Sequence, residues 1–89
     1  MARLFWTRLA IADLNSIPRG IADRILGQVE LLAEFPSMGP AMDGPFEGFR
    51  QLVVGRYRII YQEAEDDVRI AYIRHTSRQL KFRIVRNDD

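Results

Sequence analysis

The stretch "FRQLVVGRYRIIYQ", residues 49–62, decides how this chain folds. Two runs rich in β-branched and aromatic residues flank a single Gly-X pair, Gly55-Arg56. That pair suits a type II′ hairpin turn, whose first central residue needs a positive φ that glycine adopts without a Cβ clash. A two-residue turn there pairs Val54 with Tyr57, Leu52 with Ile59 and Arg50 with Tyr61. These residues share one face, because strand side chains alternate with period two.

Downstream, "EAEDDV", residues 63–68, reads as a second turn, and "VRIAYIRH", residues 68–75, as a third strand. With a four-residue turn, Tyr61 faces Ile70, Ile59 faces Tyr72 and Arg58 faces Ile73. One face then collects Leu52, Val54, Tyr57, Ile59, Tyr61, Ile70 and Tyr72, the expected floor of the core. The other collects Gln51, Arg58, Ile60, Gln62, Arg69, Ile73 and His75. That second face has too many apolar atoms to be simply solvated and too many arginines to be a core, so it reads as a binding face. One inserted or deleted residue would exchange the two faces.

Upstream, "RLFW", residues 3–6, reads as a first strand. Thr7 is placed to cap a helix, because its hydroxyl can accept from an orphan backbone N–H. Trp6 and Ile11 have the spacing of a hydrophobic staple. Ala10, Leu14 and Ile17 follow helical spacing, and Pro18 with Gly20 is expected to end that helix. In "IADRILGQVELLAEF", residues 21–35, Ala22, Ile25, Val29 and Leu32 lie on one helical face. Gly27 weakens this helix by up to about 1 kcal/mol relative to alanine and reads as a mark of close helix–helix approach. Pro36 is expected to end it. Two helices joined by so few residues pack as an antiparallel hairpin. "PSMGPAMDGPFEG", residues 36–48, holds three prolines and three glycines and reads as the crossing from helices to sheet. The tail "SRQLKFRIVRNDD", residues 77–89, fits helix and strand equally. The expected architecture is one α+β domain over residues 1–89: an N-terminal strand, an antiparallel helical hairpin, then a three-stranded antiparallel meander.

Composition narrows the function classes. At 89 residues the chain is one small domain, marginal alone and stabilised by any partner that adds buried area. It has no cysteine and one histidine, which argues against disulfides, thiolate zinc sites and histidine-rich metal centres; no cofactor is expected. No apolar run approaches a membrane span, and the N-terminus is too interrupted for a signal peptide, so a cytoplasmic protein is expected. Net charge is only +1 but unevenly placed: residues 1–49 sum to −2 and residues 50–89 to +3. Twelve of the thirteen cations are arginine, the residue of bidentate phosphate and carboxylate recognition. A GC-rich genome would explain that bias equally well, but not the clustering after residue 50.

The order strand, helix, helix, loop, meander resembles the RelE/ParE toxin superfamily of bacterial type II toxin–antitoxin systems. "WTRLAIADLNSI" is similar to the first helix of that family, and "FRQLVVGRYRIIYQ…VRIAYIRH" to its strand core. The resemblance implies a toxin held by a cognate antitoxin in a hetero-oligomer, with one of two activities. RelE-like members cleave mRNA in the ribosomal A site; ParE-like members poison DNA gyrase. Arg50, Arg58 and Arg78 stand at basic positions of the RelE-like pattern. Its second cation on the first meander strand falls at Leu52, and its C-terminal tyrosine falls near Ile84. The "IRHTSR" ending is more similar to the ParE branch. The resemblance therefore favours a gyrase inhibitor. The alternatives are a ribosome-dependent nuclease using Arg58, His75 and Arg78, and a member that binds antitoxin without toxicity.

The residue readings stay open at several points. His75 can titrate near neutral pH without perturbation and could act as a base, or could be a structural residue at a strand end. Arg58 either binds a partner or pairs with Glu47 or Glu63. Tyr57, Tyr61 and Tyr72 could stack on bases, but their shared face suggests core. The expected partner-binding set is Arg50, Arg56, Arg58, Arg69, Arg74 and Arg78, and antitoxin acids are expected on Arg58, Arg69 or Arg78.

Overall fold

A computed structural model describes residues 1–77. The elements run β1 (Arg3–Trp6), α1 (Arg8–Asn15), α2 (Arg19–Leu31), a 3-10 turn (Gly44–Phe46), β2 (Arg50–Val54), β3 (Tyr57–Ala64) and β4 (Asp67–His75). They form an α+β fold with one mixed sheet of order β1-β4-β3-β2. The N-terminal strand joins the meander, lying parallel to β4 with Leu4 opposite Val68 and Trp6 opposite Ile70. No helix among the described residues is long and apolar enough to cross a membrane.

The first hairpin has the expected register: Val54 pairs Tyr57, Leu52 pairs Ile59 and Arg50 pairs Tyr61. Gly55 has φ +60°, as the first central residue of a type II′ turn requires. The second turn is tighter than expected. Ala64 pairs Asp67, leaving only Glu65 and Asp66 in the turn, and Glu65 takes a positive φ of 53°. Tyr61 still faces Ile70, but the register then shifts: Ile60 pairs Tyr72, and Ala71 has no partner on β3. This β-bulge reverses the alternation of β4 beyond it. Ile59 therefore faces Ile73 rather than Tyr72, and Arg58 faces Arg74 rather than Ile73. Ile73 joins the helix-side core, whereas Tyr72 goes to the other face.

The bulge coincides with a change in what borders β4. β1 ends at Trp6, and α1 takes its place along the sheet edge. The Thr7 N–H donates to the Ile70 carbonyl at 3.1 Å, and its hydroxyl donates to the Ala71 carbonyl at 2.6 Å. The Ile73 N–H donates to Asp13 Oδ2 at 2.9 Å. Helix side chains thus satisfy backbone groups that a neighbouring strand would otherwise take. Thr7 also caps α1 as expected, accepting from the Ala10 N–H at 3.0 Å. Ile11 is 46% exposed, so the expected staple is replaced by Trp6 packing on the main core.

The break between the helices lies earlier than expected. Ser16 caps α1 at its C-terminus, and Pro18 begins α2, its carbonyl accepting from Ile21 and Ala22. Proline suits a helix start because its missing N–H is one no helix start would use. Gly20 sits in the first turn of α2 and terminates nothing. Hydrogen-bonded turns continue past α2 to Phe35, whose N–H donates to Leu31, directly before Pro36. The predicted α2 stripe is buried: Ala22, Ile25, Val29 and Leu32 pack with Ala10 and Ile17 on Val54, Ile59, Tyr61, Val68, Ile70 and Ile73. Gly27 is exposed, with no atom within 4 Å of the place a Cβ would occupy, so it mediates no helix–helix approach within the described residues.

The second sheet face is only partly open. Residues 40–50 fold back along β2, with Gln51 donating to Pro40 and Met42 to Phe49. This brings Phe46 onto Ile60, Ala71 and Tyr72, with Leu9, Met42 and Phe49 against them. Ile60, expected on a bare binding face, is therefore covered and forms a second, smaller core with Ala71 and the relocated Tyr72, whereas Ile73 has left that face. The tail from residue 78 onward, including Arg78, lies outside the described residues.

Candidate functional site

The expected cations fall into groups with different partners. Arg50 is committed to the fold. Its Nε donates to Glu63 Oε1 at 2.6 Å, and its Nη1 donates to the Gly39 carbonyl at 2.8 Å. The acid expected as a possible mate for Arg58 is thus engaged by Arg50 instead.

Three arginines rim the second face around Ile60 and Tyr72. Arg58 and Arg69 were expected there; the bulge adds Arg74, opposite Arg58 where Ile73 was expected, and takes His75 to the other face. Arg58 and Arg74 are directly opposite one another, an unfavourable like-charge pair unless one is neutralised. Asp13 neutralises Arg74 through a 2.7 Å bond to Nη1, in a pair about four-fifths shielded from solvent. The Arg74 guanidinium also lies 4.8 Å from the centroid of the Tyr72 ring. Arg58 makes one 3.3 Å bond to the Thr76 carbonyl and pairs with no acid among the described residues. Arg69 is half-buried and paired in register with Gln62. Arg58 has more unused donor capacity than Arg74, which Asp13 and the Ile73 carbonyl engage.

His75 lies on the opposite side of the sheet. It pairs with Tyr57, the rings meeting edge to face at 5.2 Å and 84°. The Ser77 N–H donates to His75 Nδ1 at 3.1 Å, and the Ser77 hydroxyl lies 2.7 Å from the same nitrogen. An atom that accepts a backbone N–H carries no proton, so the neutral ring holds its proton on Nε2. The Nδ1 lone pair is occupied, and Nε2 is a donor. This is a poor arrangement for a general base, which needs a free lone pair within reach of the proton it removes. Arg56, exposed at the hairpin turn, shares a 270 Å³ depression with Tyr57 and His75, walled by Ile21 and Arg24 of α2. Arg58 and His75 thus do not converge.

Two residues that shape the site were not singled out from the sequence. Asp13 anchors both Arg74 and the Ile73 N–H, and no local pattern marks it, since its partners are some 60 residues away. Arg24 was legible as part of an α2 stripe with Ile21 and Gln28, flanking the buried one. The tyrosines separate: Tyr61 and Tyr72 are buried, whereas Tyr57 is half-exposed at the cleft. Tyr61 bridges two loop residues, donating to the Pro36 carbonyl at 2.8 Å and accepting from the Gly39 N–H at 2.9 Å. Burial raises its pKa above the ordinary tyrosine value.

Comparison with known proteins gives a family and a fold. Residues 4–80 match the family described as ParE toxin of type II toxin-antitoxin system, parDE. Among solved structures, the chain is similar to one in the toxin–antitoxin complex RelBE2 from Mycobacterium tuberculosis. That pair has a TM-score of 0.75 and 22% identity, over 83% of this chain and 90% of the other. It is also similar to a chain of the chromosomal ParDE toxin–antitoxin system of P. aeruginosa. There the TM-score is 0.70 at 22% identity, over 84% of this chain and 96% of the other. No curated protein sequence matches.

Proposed function

Because this chain belongs to the ParE toxin family of type II toxin–antitoxin systems, we propose that it is a toxin that inhibits DNA gyrase and is neutralised by a cognate antitoxin in a hetero-oligomer. The observation that carries the gyrase reading over mRNA cleavage is the separation of Arg58 from His75. A nuclease needs its base and its phosphate-binding cations around one scissile bond. Here Arg58 lies on the second face and His75 on the helix side, with Nδ1 of the imidazole held by Ser77. Leu52, at the position of the second RelE-like cation, packs on the main core. Inhibition without bond-making chemistry asks only for a stable surface, and Arg58 offers a cation there with no acidic partner among the described residues. The second face is the target-facing surface in this reading.

The test is a direct comparison on purified protein. Inhibition of supercoiling and accumulation of gyrase–DNA cleavage complexes are expected, with no cleavage of mRNA on translating ribosomes. Site-specific mRNA cleavage with gyrase unaffected would overturn the reading in favour of the nuclease.

A further inference from the structure

Two depressions on the helix side of the sheet share a wall. One, of 270 Å³, lies between Ile21 and Arg24 of α2 and the hairpin turn at Arg56. The other, of 390 Å³, reaches Asp13 and Ser16 at the C-terminal end of α1. Tyr57 and His75 border both, so the two form one cleft with unlike ends. Each is of the size that holds a small molecule.

The Arg56 end is cationic. Arg24 and Arg56 are exposed, and neither guanidinium makes a hydrogen bond or ion pair among the described residues. His75 adds a neutral donor, because the Ser77 N–H occupies Nδ1 and leaves the ring proton on Nε2. Two cations and a neutral donor match a phosphomonoester, which carries about two negative charges near neutral pH and accepts bidentate arginine bonds. A single carboxylate would leave one of the two arginines uncompensated.

The α1 end is neutral overall and rich in acceptors. Asp13 uses Oδ2 for the Ile73 N–H and for Arg74, while Oδ1 accepts nothing among the described residues. Arg74 balances the Asp13 charge, so this end does not repel a phosphate held at the other. A carboxylate oxygen already fixed at a cleft wall suits a hydroxyl donor. Ser16 Oγ donates to the Asp13 carbonyl and keeps its lone pairs for a second hydroxyl.

We propose that this cleft binds a small phosphorylated sugar compound, its phosphate between Arg24 and Arg56 beside His75, and its sugar hydroxyls on Asp13 Oδ1 and Ser16. Ribonucleotides and free sugar phosphates share that chemistry. The role of the cleft is independent of the gyrase reading, since Arg58 and Arg69 take no part in it. A ligand held there ties α2 to the first hairpin turn and stabilises the folded chain by mass action.

Calorimetric titration of the full chain with AMP, ribose 5-phosphate and inorganic phosphate tests this. Saturable binding of AMP or ribose 5-phosphate is expected, about tenfold tighter than that of inorganic phosphate. AMP binding tighter than ribose 5-phosphate assigns a nucleotide, and equal binding a sugar phosphate. The 2′,3′-dideoxy form of AMP, which lacks both hydroxyls, should bind about tenfold more weakly than AMP, a test of Asp13 and Ser16 that leaves the protein unaltered. Arg24→Gln and Arg56→Gln should each weaken binding about tenfold. Arg58→Gln, on the other face of the sheet, should bind as wild type. Inorganic phosphate binding as tightly as the sugar compounds would mean an adventitious ion only and overturn the proposal. So would the absence of saturable binding at millimolar ligand, or binding that neither cleft arginine variant changes. None of these results bears on gyrase inhibition.

Discussion

The Thr7 hydroxyl donates a 2.6 Å hydrogen bond to the carbonyl of Ala71, the residue that bulges out of β4. The same oxygen accepts the Ala10 N–H, so one side chain both starts α1 and fixes the irregular point of the sheet. Thr7 is 1% exposed, so both bonds are shielded from solvent. Thr7→Val keeps the shape and removes both bonds. It should destabilise the fold by about 1–3 kcal/mol, while Thr7→Ser should retain most of the stability. Urea unfolding midpoints of the two variants check this.

Asp13 performs a similar role nearly two turns further on. Its Oδ2 accepts from both the Ile73 N–H and Arg74 Nη1. Asp13→Ala leaves a backbone donor unpaired and the Arg58–Arg74 repulsion uncompensated, for an expected loss of about 1–3 kcal/mol. Restoring part of that stability by adding Arg74→Gln would reveal the coupling. A double-mutant cycle in chemical denaturation measures it.

Tyr61 makes stability fall at high pH. Its pKa is raised by burial, so above about pH 10 the unfolded chain loses its phenolic proton while the folded chain retains it. The unfolded state then binds fewer protons, and stability declines as pH rises towards the folded-state pKa. Tyr61→Phe should remove that part of the alkaline decline. It should also cost about 1–3 kcal/mol at neutral pH, because the Gly39 N–H and Pro36 carbonyl lose their partner. Thermal melts from pH 7 to 11 distinguish the two effects.

Gly39 is constrained by space rather than by φ. A Cβ there would stand 2.4 Å from the Gln51 carbonyl oxygen, a backbone atom that cannot step aside without moving β2. Gly39→Ala should therefore destabilise by about 1–3 kcal/mol, as overpacking does. Gly27→Ala, with nothing in its way, should not. Melting temperatures measured side by side would show the contrast.

Arg58 should separate function from folding. It makes one long bond to Thr76, so Arg58→Ala should change stability by less than about 0.5 kcal/mol. Under the gyrase reading the same change should raise the concentration needed to inhibit supercoiling about tenfold or more. Arg50→Ala should do the reverse and act chiefly on stability, because its guanidinium is held by Glu63 and Gly39. Supercoiling assays on variants of known stability distinguish the two.

What the sequence determined was whatever local pattern controls. Gly55 set the first hairpin and its register, because a two-residue turn leaves the flanking strands no choice of partner. The α2 stripe and the Thr7 cap followed from helical spacing and from a hydroxyl next to an orphan N–H. Family resemblance lay in the same ordered elements. Tertiary structure alone decided which way Tyr72, Ile73 and His75 point. Period-two alternation assumes an unbroken ladder, and β4 is broken at Ala71, where Thr7 and Asp13 from some 60 residues away border it. That bulge exchanged His75 for Arg74 on the second face and parted the histidine from Arg58. A residue's face is local only while its strand partners are regular; once a helix borders the strand, it depends on contacts that no window of sequence contains.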